Sequence, residues 1–341
     1  MKFSVIIPLY NKAPYLIKAL ETVCAQTYRD YEIIVINDGS TDNSAVVAEE
    51  YLKSTHGINY KIIHQPNAGV SVARNKGVEA SIGEYIAFLD ADDWWMPIYL
   101  EHMEQLITEF PGAGLYASNY VYYKPSKTRV MLNIPRGYIN YPNSYYESGA
   151  MPIWTGATIM PRKVFDEMGG FPTGINLGED FLLWAKTALH CPVVFNNEPL
   201  AYYNNDVPAS LRATRNLHKP NHHMLFRLEY VFGNMAMQNL EIITNYCYQL
   251  PVASIETKQP TAHDWKKLID KLRVNGLLEY WMSEEYHNQA AIELAKVDWS
   301  KQPDSVKRMY RTPIWMLKVK RQVKKWGSAL KQTLLIRYRY Q

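Results

Sequence analysis

Tyr85-Ile86-Ala87-Phe88-Leu89-Asp90-Ala91-Asp92-Asp93 decides how this chain is read. Its apolar run has the length and composition of a strand buried on both faces, and it ends abruptly in three carboxylates that no core can use. Toward the N-terminus the same kind of run recurs at Phe3–Ile7, Ile33–Asn37 and Tyr60–His64, and the last of the series extends over Glu84–Leu89. Helical spacing fills the gaps, over Ala13–Gln26, Asp42–Lys53 and Ser71–Ala80, with Ser40 or Thr41 as the expected cap of the second helix. Strand and helix in alternation predict an α/β fold with a mostly parallel sheet flanked by helices. Ligands of such sheets bind beyond the carboxyl ends of the strands. Those ends carry Pro8-Leu9-Tyr10-Asn11, Asp38-Gly39-Ser40, Pro66-Asn67-Ala68-Gly69 and the Asp90–Asp93 turn, so a polar crevice is expected there.

The rest of the chain is less regular. A Tyr-rich stretch spans Tyr116–Tyr146, a strand is expected over Thr155–Met160, and a helix opens near Gly178-Glu179-Asp180. Beyond residue 215 the spacing becomes helical, notably over Met224–Gln249 and His263–Lys296. With 341 residues, 47% of them hydrophobic, the chain can bury a substantial core, and disorder is not expected. Its three cysteines, Cys24, Cys191 and Cys247, show neither a disulfide framework nor a zinc spacing, which fits a reducing cytoplasm. No apolar run reaches eighteen residues, and the N-terminal run is too short for a signal-peptide core.

Carboxylates crowded at a strand end repel one another unless a cation sits among them, and their hard oxygen atoms suit Mn²⁺ or Mg²⁺ bridging a diphosphate. The alternative is a solvated acidic turn that caps a helix beginning at Trp94–Pro97. Context decides between them. Val5-Ile6-Ile7-Pro8-Leu9-Tyr10-Asn11, Ile34-Val35-Ile36-Asn37-Asp38-Gly39-Ser40-Thr41-Asp42, Asn67-Ala68-Gly69-Val70-Ser71-Val72-Ala73-Arg74-Asn75-Lys76-Gly77 and Phe88-Leu89-Asp90-Ala91-Asp92-Asp93 follow in this order. Together they resemble the inverting glycosyltransferase family 2, whose fold is the Rossmann-like GT-A fold, over about residues 3–205.

The resemblance implies a GT-A catalytic domain over 1–215, with a nucleotide-sugar-binding half at 1–110 and an acceptor-side half at 111–215, then a helical C-terminal region at 216–304. It implies that Pro8 and Tyr10 border the nucleoside pocket and that Asp38 bonds the base, usually uracil; a carboxylate can accept from an imide N–H. Asp90 would contact the ribose or the metal, Asp92 would ligate the metal, and Ala91 would lie against the nucleotide-sugar. Asn67 and Gly69 would shape the neighbouring loop, while Arg74 and Lys76 could neutralise phosphate or simply be solvated. Gly178-Glu179-Asp180-Phe181-Leu182-Leu183-Trp184 resembles the family's Glu-Asp pair, which makes Asp180 the expected general base and Glu179 the second choice; an acidic first helical turn is the bland alternative. His218, His222 and His223 lie where many relatives place a further histidine, but no motif surrounds them.

The function implied is transfer of a sugar from a UDP-sugar to a hydroxyl of a glycan or lipid-linked acceptor, by an enzyme needing Mn²⁺ or Mg²⁺. A catalytically silent nucleotide-sugar-binding scaffold is the rival. A sugar-nucleotide pyrophosphorylase would want a Gly-rich loop after the first strand, and a dinucleotide oxidoreductase would want G-x-G-x-x-G there; neither is present. Gln322-Val323-Lys324-Lys325-Trp326 only approximates the Gln-x-x-Arg-Trp motif of processive synthases.

Charge is distributed unevenly. Residues 305–341 hold eleven Lys or Arg and no Asp or Glu, which leaves 26 basic against 33 acidic residues in 1–304. Trp315, Met316, Val319, Val323, Trp326, Leu330 and Leu334 fall at helical spacing, with Lys318, Lys320, Arg321, Lys324, Lys325 and Lys331 beside and opposite them. Such a basic amphipathic tail is expected at an anionic membrane surface, peripheral to the cytosolic face, or else packed on the body; nucleic acid is not the expected partner, since no binding motif accompanies the charge.

Overall fold

The computed structural model describes residues 1–148 and 151–208, together with 211, 224, 258, 260–261, 263–265, 267–269, 271–272, 294–295 and 299–301. The helices expected over Met224–Gln249 and His263–Lys296 fall largely outside the described residues; His218, His222, His223 and the tail from Ser305 fall wholly outside them. The chain divides into two compact units, Met1–Leu268 and Ile269–Gln341, and the sheet belongs to the first.

The first half follows the expected alternation: β1 (Phe3–Leu9), α1 (Ala13–Cys24), β2 (Tyr31–Asp38), α2 (Ser44–Ser54), β3 (Asn59–Gln65), α3 (Val70–Glu79) and β4 (Tyr85–Phe88). Then come β5 (Trp94–Trp95), α4 (Tyr99–Glu109), β6 (Leu115–Tyr123), β7 (Arg129–Val130), β8 (Gly137–Ile139), α5 (Tyr141–Ser148), β9 (Thr158–Pro161), α6 (Arg162–Met168), α7 (Glu179–His190) and β10 (Val193–Asn204). The sheet order is β3-β2-β1-β4-β9-β6-β10-β5, with β7 beside β6 and β8 beside β10. β1, β2, β3 and β4 are mutually parallel. β9 is antiparallel to both β4 and β6, which restores the direction of β4 in β6, and β10 is parallel to β6. The carboxyl ends of β1, β2, β3, β4, β6 and β10 therefore share one edge.

Burial explains the strand types. Every residue of β2 is buried, as expected for a strand with helices on both faces, whereas β3 at the sheet edge is largely exposed. On α1, Leu16, Ala19, Leu20 and Val23 are fully buried at helical spacing. Gly77 lets α3 approach the sheet, because a Cβ there would run into Ile6 of β1 and lie 3.3 Å from Ile36 of β2.

Three local expectations are corrected. Trp94–Pro97 does not begin a helix: Trp94 and Trp95 pair with Tyr202 and Ala201 of β10, Trp94 stacks on Tyr202, and α4 starts at Tyr99. Pro97 disfavours helical geometry in the residue before it, which fits this extended start. Neither Ser40 nor Thr41 caps α2, which begins at Ser44; the Ser40 hydroxyl accepts from Asn11 N–H at 3.2 Å, and Asn11 Oδ1 accepts from Thr41 N–H at 2.8 Å. The strand expected from Thr155 starts only at Thr158, after a 3-10 turn over Thr155–Ala157. Among the described residues, no helix is long and apolar enough to cross a membrane.

Candidate active site

The shared carboxyl edge collects the acidic residues, and the chain binds them with specific partners. β2 ends at Asp38, which is 4% exposed. Its carboxylate accepts from Gln65 Nε2 at 2.7 Å, Ala68 N–H at 2.8 Å and Gly69 N–H at 2.9 Å. Asp38 thus pins the loop that leads into α3, and Gly69 at φ 92° supplies the left-handed step before that helix. A carboxylate offers about four lone-pair positions, so one acceptor position is left. Asn67 and Gly69 are exposed on this loop, Tyr10 is exposed beyond β1, and Pro8 is half-buried opposite Ile36. The turn at Tyr10 is held by Asn11, which takes a left-handed φ of 51° and ties β1 to the β2–α2 loop.

The turn after β4 faces two basic residues. Arg74 of α3 is 3% exposed, and its guanidinium donates to Asp90 Oδ1 at 2.8 Å and to Glu179 Oε1 at 2.9 Å. It lies over the Phe171 ring, 5.0 Å from the centroid. Burial disfavours its charge, yet Asp90 and Glu179 outweigh that and hold it protonated. Arg74, expected as a phosphate ligand or a solvated residue, is buried rather than solvated and forms a strut between the β4 turn and the start of α7. Lys76, one of the same expected pair, is exposed in the last turn of α3.

Asp92 meets the other cation. Lys12, directly after the β1 turn, pairs its ammonium with Asp92 Oδ2 and also donates to the Leu211 carbonyl at 2.9 Å. Both side chains are 16% exposed. Burial raises the Asp92 carboxyl above the usual carboxylate range, Lys12 opposes that, and Asp90 adds to it. Ala91, between Asp90 and Asp92, is buried. Asp93 is buried too; it accepts from Asn204 N–H at 2.7 Å and so ties the β4 turn to the end of β10. Burial and then the charges of Asp92 and Asp90 raise its carboxyl well above the usual range.

Glu179 and Asp180 open α7, placed by Gly178 at φ 83°. Burial first, and then the neighbouring Asp180 charge, push Glu179 up to about 7 against the pull of Arg74. Asp180 is half-buried, accepts from Thr155 Oγ1 at 2.9 Å, and is also raised by burial, with Arg74 and Thr155 opposing. The Asp90 charge reaches Asp180 as well. The arrangement therefore offers a partly exposed, hydrogen-bonded carboxylate of raised basicity beside one locked to an arginine. Lys12 and Thr155 carry no mark of this role in the sequence, and Asp93 is marked there only as part of the Asp90–Asp93 turn. Lys12 follows the Pro8–Asn11 motif, but its contact lies eighty residues away.

A cation fits at Asp92: the donors are hard carboxylate oxygens, and the Lys12 ammonium already rests against one of them. Among the described residues, no three His, Cys, Asp or Glu side chains gather as a metal site, so Asp92 and Asp90 would hold an ion together with ligands from elsewhere.

The model of glycosyl transferase family 2 matches residues 4–169. The matched segment covers β1 to α6 and thus holds Asp38, Arg74, Asp90 and Asp92. Glycosyltransferase GlyA of Streptococcus pneumoniae is 39% identical over 146 residues, which are 43% of this chain and 20% of that protein. The uncharacterized glycosyltransferase YibD of Escherichia coli is 45% identical over 108 residues, 32% of this chain and 31% of that protein. The chain thus matches less than a third of either relative's length. Among solved structures, Staphylococcus aureus TarS in complex with UDP-GlcNAc superposes with a TM-score of 0.58 at 19% identity, over 82% of this chain and 73% of that one. The mannosyltransferase PcManGT from Pyrobaculum calidifontis, in complex with GDP-Man and Mn²⁺, gives 0.51 at 16% identity, over 88% of each chain. At these identities the likeness bears on the fold, which is that of GT-A glycosyltransferases.

Proposed function

We propose that this chain transfers a sugar from a UDP-sugar to a hydroxyl of a glycan or lipid-linked glycan, with inversion at the anomeric carbon. The observation that carries the reading is the Arg74 strut, which joins Asp90 at the β4 carboxyl end to Glu179 at the start of α7. A nucleotide-side carboxylate and an acidic helix start are thereby held at one edge, with Asp180 beside them.

In this reading the remaining acceptor position of Asp38 takes the imide N–H of uracil, with Pro8 and Tyr10 alongside and Asn67 and Gly69 forming the rim. Asp180 takes the proton of the acceptor hydroxyl as its oxygen bonds to the anomeric carbon and the bond to the diphosphate oxygen breaks. Its raised basicity suits that task, and the Thr155 hydroxyl keeps it oriented. Glu179 is committed to Arg74, which favours Asp180 as the base. A divalent ion, Mn²⁺ or Mg²⁺, at Asp92 and Asp90 would supply positive charge for the leaving diphosphate. The catalytic domain would span 1–215, and the basic tail would hold the chain to an anionic membrane surface near a lipid-linked acceptor.

Thermal shifts with UDP, GDP and their sugars, each with and without Mn²⁺, test the donor assignment. UDP-sugars should raise the melting temperature most, and more with Mn²⁺. Stabilisation by GDP-sugars alone would overturn the uridine assignment, and stabilisation with no release of UDP across a glycan acceptor panel would favour the silent scaffold.

A further inference from the structure

Lys12 combines a fixed backbone with a movable charge. Its N–H donates to Ser44 Oγ at 2.9 Å and its carbonyl accepts from Tyr15 N–H at 2.9 Å, so the main chain is anchored on two sides. The four-carbon stem ends in an ammonium that bonds Asp92 and the Leu211 carbonyl. Three rotatable donors on a flexible stem make lysine suited to changing partners. Asp92, for its part, is mostly enclosed, and an enclosed carboxylate keeps its charge only with a cation against it.

A divalent ion binding Asp92 would share with the ammonium a carboxylate that Lys12 already bonds at Oδ2, and two cations on one carboxylate repel at short range. We infer that Lys12 and the divalent ion exchange on Asp92, so that the ammonium, once displaced, pairs with the diphosphate that brings the ion in. The inference rests on the donor reading given above. It makes Lys12 a diphosphate-binding residue and also a brake on metal binding by the nucleotide-free protein. The site then favours the ion and nucleotide together over either one alone.

The exchange gives opposite signs in two titrations of Lys12→Met. Mn²⁺ alone, followed by calorimetry or by loss of the free-ion electron paramagnetic resonance signal, should bind the variant about tenfold or more tightly than the wild type. UDP in saturating Mn²⁺ should bind it about tenfold or more weakly, the range of a charge-assisted hydrogen bond, while uridine should bind both equally. Lys12→Arg, which keeps the charge, should stay close to the wild type in the Mn²⁺ titration. Uridine affinity and the melting temperature report whether each variant is folded, and Lys12→Gln repeats the comparison with a hydrogen-bonding side chain should the methionine variant unfold. Unchanged or weaker Mn²⁺ binding by the folded uncharged variant would overturn the exchange, as would unchanged UDP affinity. Asp92→Asn separates the two ideas. If it abolishes Mn²⁺-dependent UDP binding while Lys12→Met behaves as wild type, the exchange alone falls; if it leaves that binding intact, the donor site at Asp92 falls as well.

Discussion

At the scale of single residues, the two neighbouring carboxylates of α7 should separate by task. Asp180→Asn keeps the shape and loses the base, so kcat should fall by about 10²–10⁴ while UDP affinity in Mn²⁺ stays near wild type. Steady-state kinetics alongside a UDP titration would check this, and a milder loss from Asp180→Asn than from Glu179→Gln would reverse the assignment. Glu179 also makes a stability prediction. Its folded carboxyl titrates near 7 and the ordinary value is 4.5, so the folded chain holds the proton longer than the unfolded one. The stability this gives is complete below about 4.5 and is lost as pH rises through 7. The melting temperature of Glu179→Gln relative to wild type should therefore rise between pH 5 and pH 8; a flat difference would refute it. Asp90, Asp92, Glu179 and Asp180 were legible in the sequence because each follows an abrupt switch from an apolar pattern or a glycine to acid. Lys12 and Thr155 were not, since a lysine after a turn and a threonine before a strand acquire meaning only through partners 80 and 25 residues away.

At the scale of elements, α3 is held by what it lacks at Gly77 and by what it carries at Arg74. Gly77→Ala would push a methyl group into Ile6, and overpacking of this kind costs about 1–3 kcal/mol, readable by urea denaturation. Arg74→Met would leave Asp90 and Glu179 facing each other without their shared cation. Removing one partner of a buried pair costs about 3–5 kcal/mol, and Arg74→Lys should recover only part because one ammonium cannot fork to two carboxylates as a guanidinium does. A melting temperature of Arg74→Met equal to wild type would show that the strut is not structural. The strands and helices up to β4 were readable because each is long enough for its periodicity to show. β5 was not, being two residues long and defined only by pairing with β10, and the 3-10 turn before β9 looked like strand because Thr155 and Thr158 have similar local character.

At the scale of the whole molecule, charge and chain order have separate consequences. Neutralising Lys318, Lys320, Arg321, Lys324 and Lys325 should release the protein from anionic vesicles in a flotation assay, as should raised salt, since each basic residue near such a surface contributes about 1 kcal/mol. Binding that survives both would assign the tail to the protein body. The chain order acts through β9. This short strand lies between β4 and β6 and, among the described residues, is the only ladder joining the parallel sheet of the first ninety residues to the strands that follow. During synthesis, β1 to β4 can pair as they leave the ribosome, but the far edge of β4 must wait, unpaired, until residue 161 has emerged. For that interval the nascent protein displays an open sheet edge, and a chaperone or a premature partner strand would find it there.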